Sequence, residues 1–90
     1  MRIWMKIFKE NRLVTDTVIT EIDAAMSRTT KIFHALTEAC MLFDLSEPIW
    51  LDTNIREFKR HSKTRFTQDN FVEQISFDYL EIHIIEESEY

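Results

Sequence analysis

Polar and apolar side chains alternate strictly from Arg2 to Lys9, with Ile3, Met5 and Ile7 on one side and Arg2, Trp4, Lys6 and Phe8 on the other. A period of two belongs to an extended chain with one buried face, so the opening predicts a β-strand. "ENR" supplies a turn, and "LVTDTVITEI", Leu13 to Ile22, is β-branched enough for a second strand, giving an amino-terminal hairpin. The apolar residues of this second strand do not alternate cleanly, which leaves its register open.

After "DAAM" the period changes. Ser27 is placed to cap a helix, and Ile32, Leu36, Ala39, Cys40 and Phe43 then recur at helical spacing, predicting a helix over residues 28–44. "LSEP" ends it, because proline restricts the residue before it. "IWL" reads as a short strand, and Asp52 or Thr53 can cap a second helix. On that helix Ile55, Phe58 and Ser62 share one side and Arg56 and Arg60 the other, while Glu57 and His61 are spaced to pair. "TRFT" could extend, with Lys63 and Arg65 following at the helix end, and "QDNFVEQI" reads as a short helix or an irregular connection. "FDYLEIHIIE", Phe77 to Glu86, alternates most regularly of all, with Leu80, Ile82 and Ile84 opposite Tyr79, Glu81, His83 and Ile85.

The order β-β-α-β-α-β predicts an α+β domain: a mostly antiparallel sheet of three to five strands with two helices packed on one face. Ile3, Met5, Ile7, Leu80, Ile82 and Ile84 would meet Ile32, Leu36, Phe43, Ile55 and Phe58 in the core. The other sheet face would then carry Trp4, Phe8, Tyr79 and His83, a candidate contact surface for a second copy or another protein, unless the segment around Phe71 covers it. On that face Lys6 and Glu81 would pair if the first and last strands are neighbours, an order the sequence leaves open, and such a pair contributes roughly 0.2–1 kcal/mol.

Ninety residues form a single domain, residues 1–90, ending in an acidic tail at about 86–90. The chain has no glycine, which removes the phosphate-cradling loop and the dinucleotide fingerprint, and leaves turns to Asn, Asp and Pro. One cysteine excludes an internal disulfide, and "MRIWMKIFKE" alternates with charges throughout, unlike a secretory leader. No window has the length and apolarity of a bilayer span. These features place the chain in the cytoplasm, with no membrane partner.

Charge is segregated. Arg56, Lys59, Arg60, Lys63 and Arg65 face a single acid, Glu57, within residues 53–66, whereas the rest of the chain sets six Lys and Arg against fifteen Asp and Glu. Arg56, Arg60, Lys63 and Arg65 are therefore candidate anion-binding residues, with RNA as the nucleic-acid alternative. Against this, cations near a helix end need no ligand to explain them, the acidic tail is available to neutralise them, and a net charge of -5 gives no long-range attraction to nucleic acid.

His34, His61 and His83 have no metal-ligand spacing, and Cys40 sits on an apolar stripe as a small buried hydrophobe. No carboxylate pair stands out for acid and base roles, so no catalytic, cofactor or metal residue is assigned. The stretches "RIWMKIFKENRLVTDTVI", "PIWLDTNIREFKRHSKTRFTQDNF" and "FDYLEIHIIEE" resemble a group of small uncharacterised proteins from anaerobic Gram-positive bacteria, over nearly the whole chain. The resemblance implies a self-contained bacterial domain and neither an activity nor a cofactor. The expected function is a non-enzymatic protein-interaction or regulatory module that homodimerises, or meets a partner, through the outer sheet face.

Overall fold

The computed structural model describes residues 1–87. Four antiparallel strands, β1 (Arg2–Lys9), β2 (Arg12–Thr20), β3 (Lys63–Phe66) and β4 (Tyr79–Glu86), form one sheet in the order β2-β1-β4-β3. Helices α1 (Arg28–Leu42) and α2 (Asp52–His61) follow β2, and a 3-10 turn, Gln68–Asn70, follows β3. The inward residues of β1 and β4 meet Ile32, Leu36, Ala39 and Cys40 of α1 and Phe58 of α2 in one core. No helix among the described residues is long and apolar enough to cross a membrane.

The hairpin turns on Glu10 and Asn11, both left-handed at φ 54° and 64°, as a two-residue turn between twisted strands requires. The irregular pattern of β2 has a simple cause. Ile7 pairs with Thr15 but Phe8 pairs with Leu13, so Val14 is an extra residue in a bulge and is thrown outward. A second irregularity pairs Ile3 with Ile84 but Arg2 with Glu86, leaving Ile85 half-exposed between them.

Helix α1 begins as expected: the Ser27 hydroxyl accepts from the Thr30 N–H at 3.1 Å. It ends with Asp44 at φ 56° and the Leu45 N–H returned to the Cys40 carbonyl, an αL cap made without glycine. Helix α2 differs from the expected start. Leu51 is its cap, and Asn54 carries the cap chemistry by accepting from the Leu51 N–H at 3.1 Å.

"IWL" is not a strand. Ile49 donates its N–H to the Asn70 carbonyl at 2.6 Å, and Trp50 turns inward to meet Phe33, Phe58 and Phe66 edge-on at 5.0–6.0 Å between ring centres. The strand comes instead from the end of the basic segment. Helix α2 stops at Ser62, φ 57°, and in "KTRF" Thr64 and Phe66 then point inward while Lys63 and Arg65 point outward. Ile55, expected in the core, is 39% exposed and lines a groove between the helices with Phe33.

A buried polar network fastens α2, β3 and the 3-10 turn. Asn54 Nδ2 donates to Thr64 Oγ1 at 3.0 Å and to the Arg65 carbonyl at 2.9 Å, while Asn54 Oδ1 accepts from Asn70 Nδ2 at 2.7 Å. Asn70 also donates to the Ile49 carbonyl, and the Thr64 hydroxyl donates to Glu57 at 2.6 Å. Asn54, Thr64 and Asn70 are all buried and all bonded, so a position that would be costly in an apolar core is held without penalty.

Candidate functional site

The segment between β3 and β4 decides which sheet face is open. Phe71 enters the core and Phe77 packs against it, with Asn70 bonded to Ile49 and Asn54, so this connection lies on the helix side. Phe71 does not cover the outer face. Trp4, Phe8, Tyr79 and His83 share that face as their alternation requires, each partly exposed.

Cross-strand rows organise the face. Asp16, Lys6, Glu81 and Arg65 stand opposite one another in turn across all four strands, a row of alternating charge. Lys6 Nζ lies 2.7 Å from Glu81 Oε2, confirming the expected pair, and Arg65 Nε lies 3.2 Å from Glu81 Oε1. Burial alone would raise the Glu81 pKa, but the hydrogen bonds from Lys6 and Arg65 outweigh it and hold the carboxyl below its ordinary range.

The aromatics are pinned to this row. The Trp4 indole N–H donates to Asp16 Oδ2 at 2.8 Å, and Lys6 Nζ sits 3.9 Å above the Trp4 ring. Phe8 stacks on Tyr79 at 5.1 Å, and the Arg65 guanidinium lies 4.5 Å from the centre of the Tyr79 ring. His83 pairs across the sheet with Trp4 and with Lys63. Its Nδ1 is buried with no hydrogen-bond partner among the described residues, and burial, then the charges of Lys6 and Lys63, push its pKa down.

The four candidate anion-binding residues fall into two pairs, in adjoining hollows that share Glu57 and His61. Arg56 and Arg60 line an open hollow along α2 with Thr53, Glu57, Lys59 and His61, whereas Lys63 and Arg65 belong to β3 and the outer face. Glu57 takes the Thr64 hydroxyl rather than the expected His61. Of the acidic tail, Glu86 pairs with Arg2 and Glu87 with Arg28 at 3.0 Å, not with residues 53–66; residues 88–90 lie outside the described residues.

One titratable cluster has no counterpart in the sequence reading. His34 Nδ1 lies 2.6 Å from Glu21 Oε1, and His34 Nε2 lies 3.8 Å from Glu38, so an imidazole is held between two carboxylates. The hydrogen bond to Glu21, then its charge, raise the His34 pKa. The spacing of His34 and Glu38 was visible in the sequence, but Glu21 arrives from the end of β2. Cys40 is buried, and desolvation raises its thiol to about 11, where it is a poor nucleophile. No protein-family model matches the chain, and neither does any curated protein or solved structure.

Proposed function

We propose that the protein is a non-enzymatic interaction module that holds a partner protein against the outer face of its sheet. One observation carries the reading. Trp4, Phe8, Tyr79 and Arg65 lie side by side on a face with neither helix over it, and each is fixed by another side chain of the chain. Trp, Tyr and Arg supply most binding hot spots, and side chains already held in place lose little entropy when a partner docks. Asp16 and Arg65, the exposed ends of the charged row, offer both signs of charge, which suits a protein surface better than a polyanion.

RNA binding is the second reading, favoured by the arrival of Lys63 and Arg65 on the same face as the aromatic rings, where bases stack. Against it stand the net charge of -5 and the engagement of Arg65 with Glu81. A photo-crosslinking residue at Tyr79, with Arg56 as the control position, separates the two in the source cells. A protein adduct from position 79, missing from position 56 and lost in Trp4→Ser, is the expected result. An RNA adduct, or none above the control, overturns the reading.

A further inference from the structure

The two edges of the sheet are guarded differently. β3 is four residues long, carries Lys63 and Arg65 outward, and is tied to α2 through the bond from Asn54 to the Arg65 carbonyl. Short length, charge and a covering helix are the usual means of preventing strand addition. β2, at the other edge, has nine residues and no strand beyond it among the described residues. All but Thr17 and Ile19 are exposed, Leu13, Val14 and Val18 among them. It contains no proline or lysine, and of its two charged residues Asp16 is drawn onto the Trp4 indole.

Hydrogen bonding fixes which backbone groups reach that edge. The Glu21 N–H donates to the Met1 carbonyl, and the Met1 amino group donates to the Glu21 carbonyl, both at 2.9 Å. In an antiparallel ladder such exchanging pairs alternate with pairs whose N–H and C=O point away from each other. The β1–β2 register is unbroken from Arg2–Thr20 to Ile7–Thr15. The backbone groups of Thr20, Val18 and Asp16 therefore point away from β1 and out of the sheet.

We infer that this edge joins the same edge of a second copy of the chain, antiparallel about a two-fold axis at Val18. That axis sets Val18 against itself and Asp16 against Thr20 of the second copy, so all three residues with outward backbone groups exchange both bonds. No like charges stand opposite each other, whereas an axis at Asp16 would face two carboxylates. The contact is isologous and closes, so it yields a dimer rather than a fibre. It also makes the two outer faces continuous, with the paired Val18 residues flanked by the Trp4 of each copy. The inference rests on the backbone of β2 and holds whatever docks on the aromatic face.

Sedimentation of the full chain over a concentration series is the test, and a species of twice the 10.9 kDa chain mass is expected. Val18→Pro removes an N–H that β1 does not use, so a folded 10.9 kDa species with an unchanged circular dichroism spectrum is expected. Should that chain fail to fold, Val18→Cys in a Cys40→Ala background gives a second reading. Exchanging residues lie about 5.5 Å apart at Cα, within disulfide reach, so air oxidation is expected to yield a covalent dimer. A wild-type chain still monomeric at millimolar concentration overturns the inference, and so does a dimer that Val18→Cys fails to cross-link. Tyr79→Ala, remote from the seam, is expected to remain dimeric; conversion to monomer would move the interface to the aromatic face and overturn the edge assignment.

Discussion

Lys6 Nζ stands 2.7 Å from Glu81 Oε2 across β1 and β4, with both side chains nearly closed to solvent, and Arg65 reaches the same carboxylate from β3. Glu81 thus serves two cations, whereas among these three groups Lys6 has one acceptor. Replacing Glu81 by Leu takes from the nearly buried Lys6 ammonium the carboxylate it touches, leaving Asp16 across the strand pair as the nearest acid of the row, and is expected to cost about 3–5 kcal/mol. Lys6→Met leaves Glu81 its Arg65 partner, so the cost is expected to be smaller, about 1–2 kcal/mol. The double change Lys6→Met with Glu81→Leu should recover most of the larger loss, because no charge is then stranded. Urea unfolding of the three variants decides this, and equal costs for the two single changes would contradict it. Because the folded pKa of Glu81 is depressed, its contribution is present above the ordinary carboxyl value and fades as pH falls through the lower folded one.

The two histidines with shifted pKa values are expected to titrate on opposite sides of the ordinary value of 6.5. His34 is raised by its bond to Glu21 and then by the charges of Glu21 and Glu38. Its contribution to stability is complete below 6.5 and is lost as pH rises through the raised folded value. His83 is lowered by burial and then by Lys6 and Lys63, with Glu81 opposing. Its folded state resists protonation, so stability falls as pH drops below 6.5. Imidazole resonances followed by NMR from pH 4 to 9 should place His34 above 6.5 and His83 below it. Glu21→Gln should bring His34 back toward 6.5 while leaving His83 unmoved. A His83 that titrates above 6.5 would mean that its ring is hydrated or paired.

Asn54 uses every hydrogen-bonding position of its amide: Oδ1 accepts from Leu51 and Asn70, and Nδ2 donates to Thr64 and Arg65. Asn54→Ala leaves several buried groups unpaired, and a loss of about 3 kcal/mol or more is expected. Asn54→Asp keeps the shape but sets an acceptor against the Thr64 hydroxyl and the Arg65 carbonyl, so it should be no better than alanine. Thermal unfolding of both variants checks this. If aspartate were tolerated, the two donor bonds to β3 would contribute little to its attachment.

What was legible in the sequence follows from range. The alternation of β1 and β4 needs only neighbouring residues, and it correctly put Trp4, Phe8, Tyr79 and His83 on the outer face and predicted the Lys6–Glu81 pair. Ser27 as a cap was equally local. The bulge at Val14 was not legible, because a single inserted residue looks like a broken period until the partner strand is known. "KTRF" did alternate, but its strand identity was masked because it continues the run of basic residues that begins on the helix before it, and "IWL" looked more apolar. That one error hid the division of the expected anion set between α2, which carries Arg56 and Arg60, and β3, which carries Lys63 and Arg65. The Asn54 network lay out of reach because its members come from separate elements and each reads as an ordinary loop or helix residue.

Ser62 is the point at which helix becomes strand, and it holds φ 57° without being glycine. A residue with a Cβ pays about 1–2 kcal/mol in this region, offset in part because glycine has more unfolded-state freedom to lose. The Ser62 backbone is fully used, its N–H donating to the Phe58 carbonyl and its C=O accepting from the Ile84 N–H, both at 2.9 Å. Ser62→Gly keeps both bonds and relieves the conformation, so it is expected to stabilise the fold by about 0.5–1 kcal/mol. In a chain of this size that is a rise of about 2–8 °C in Tm. Ser62→Val, β-branched and poorly suited to φ above zero, should lower Tm by a comparable or larger amount. Should glycine lower Tm, the serine hydroxyl would have to contribute more than the strain costs, and removing it with Ser62→Ala would show the same loss.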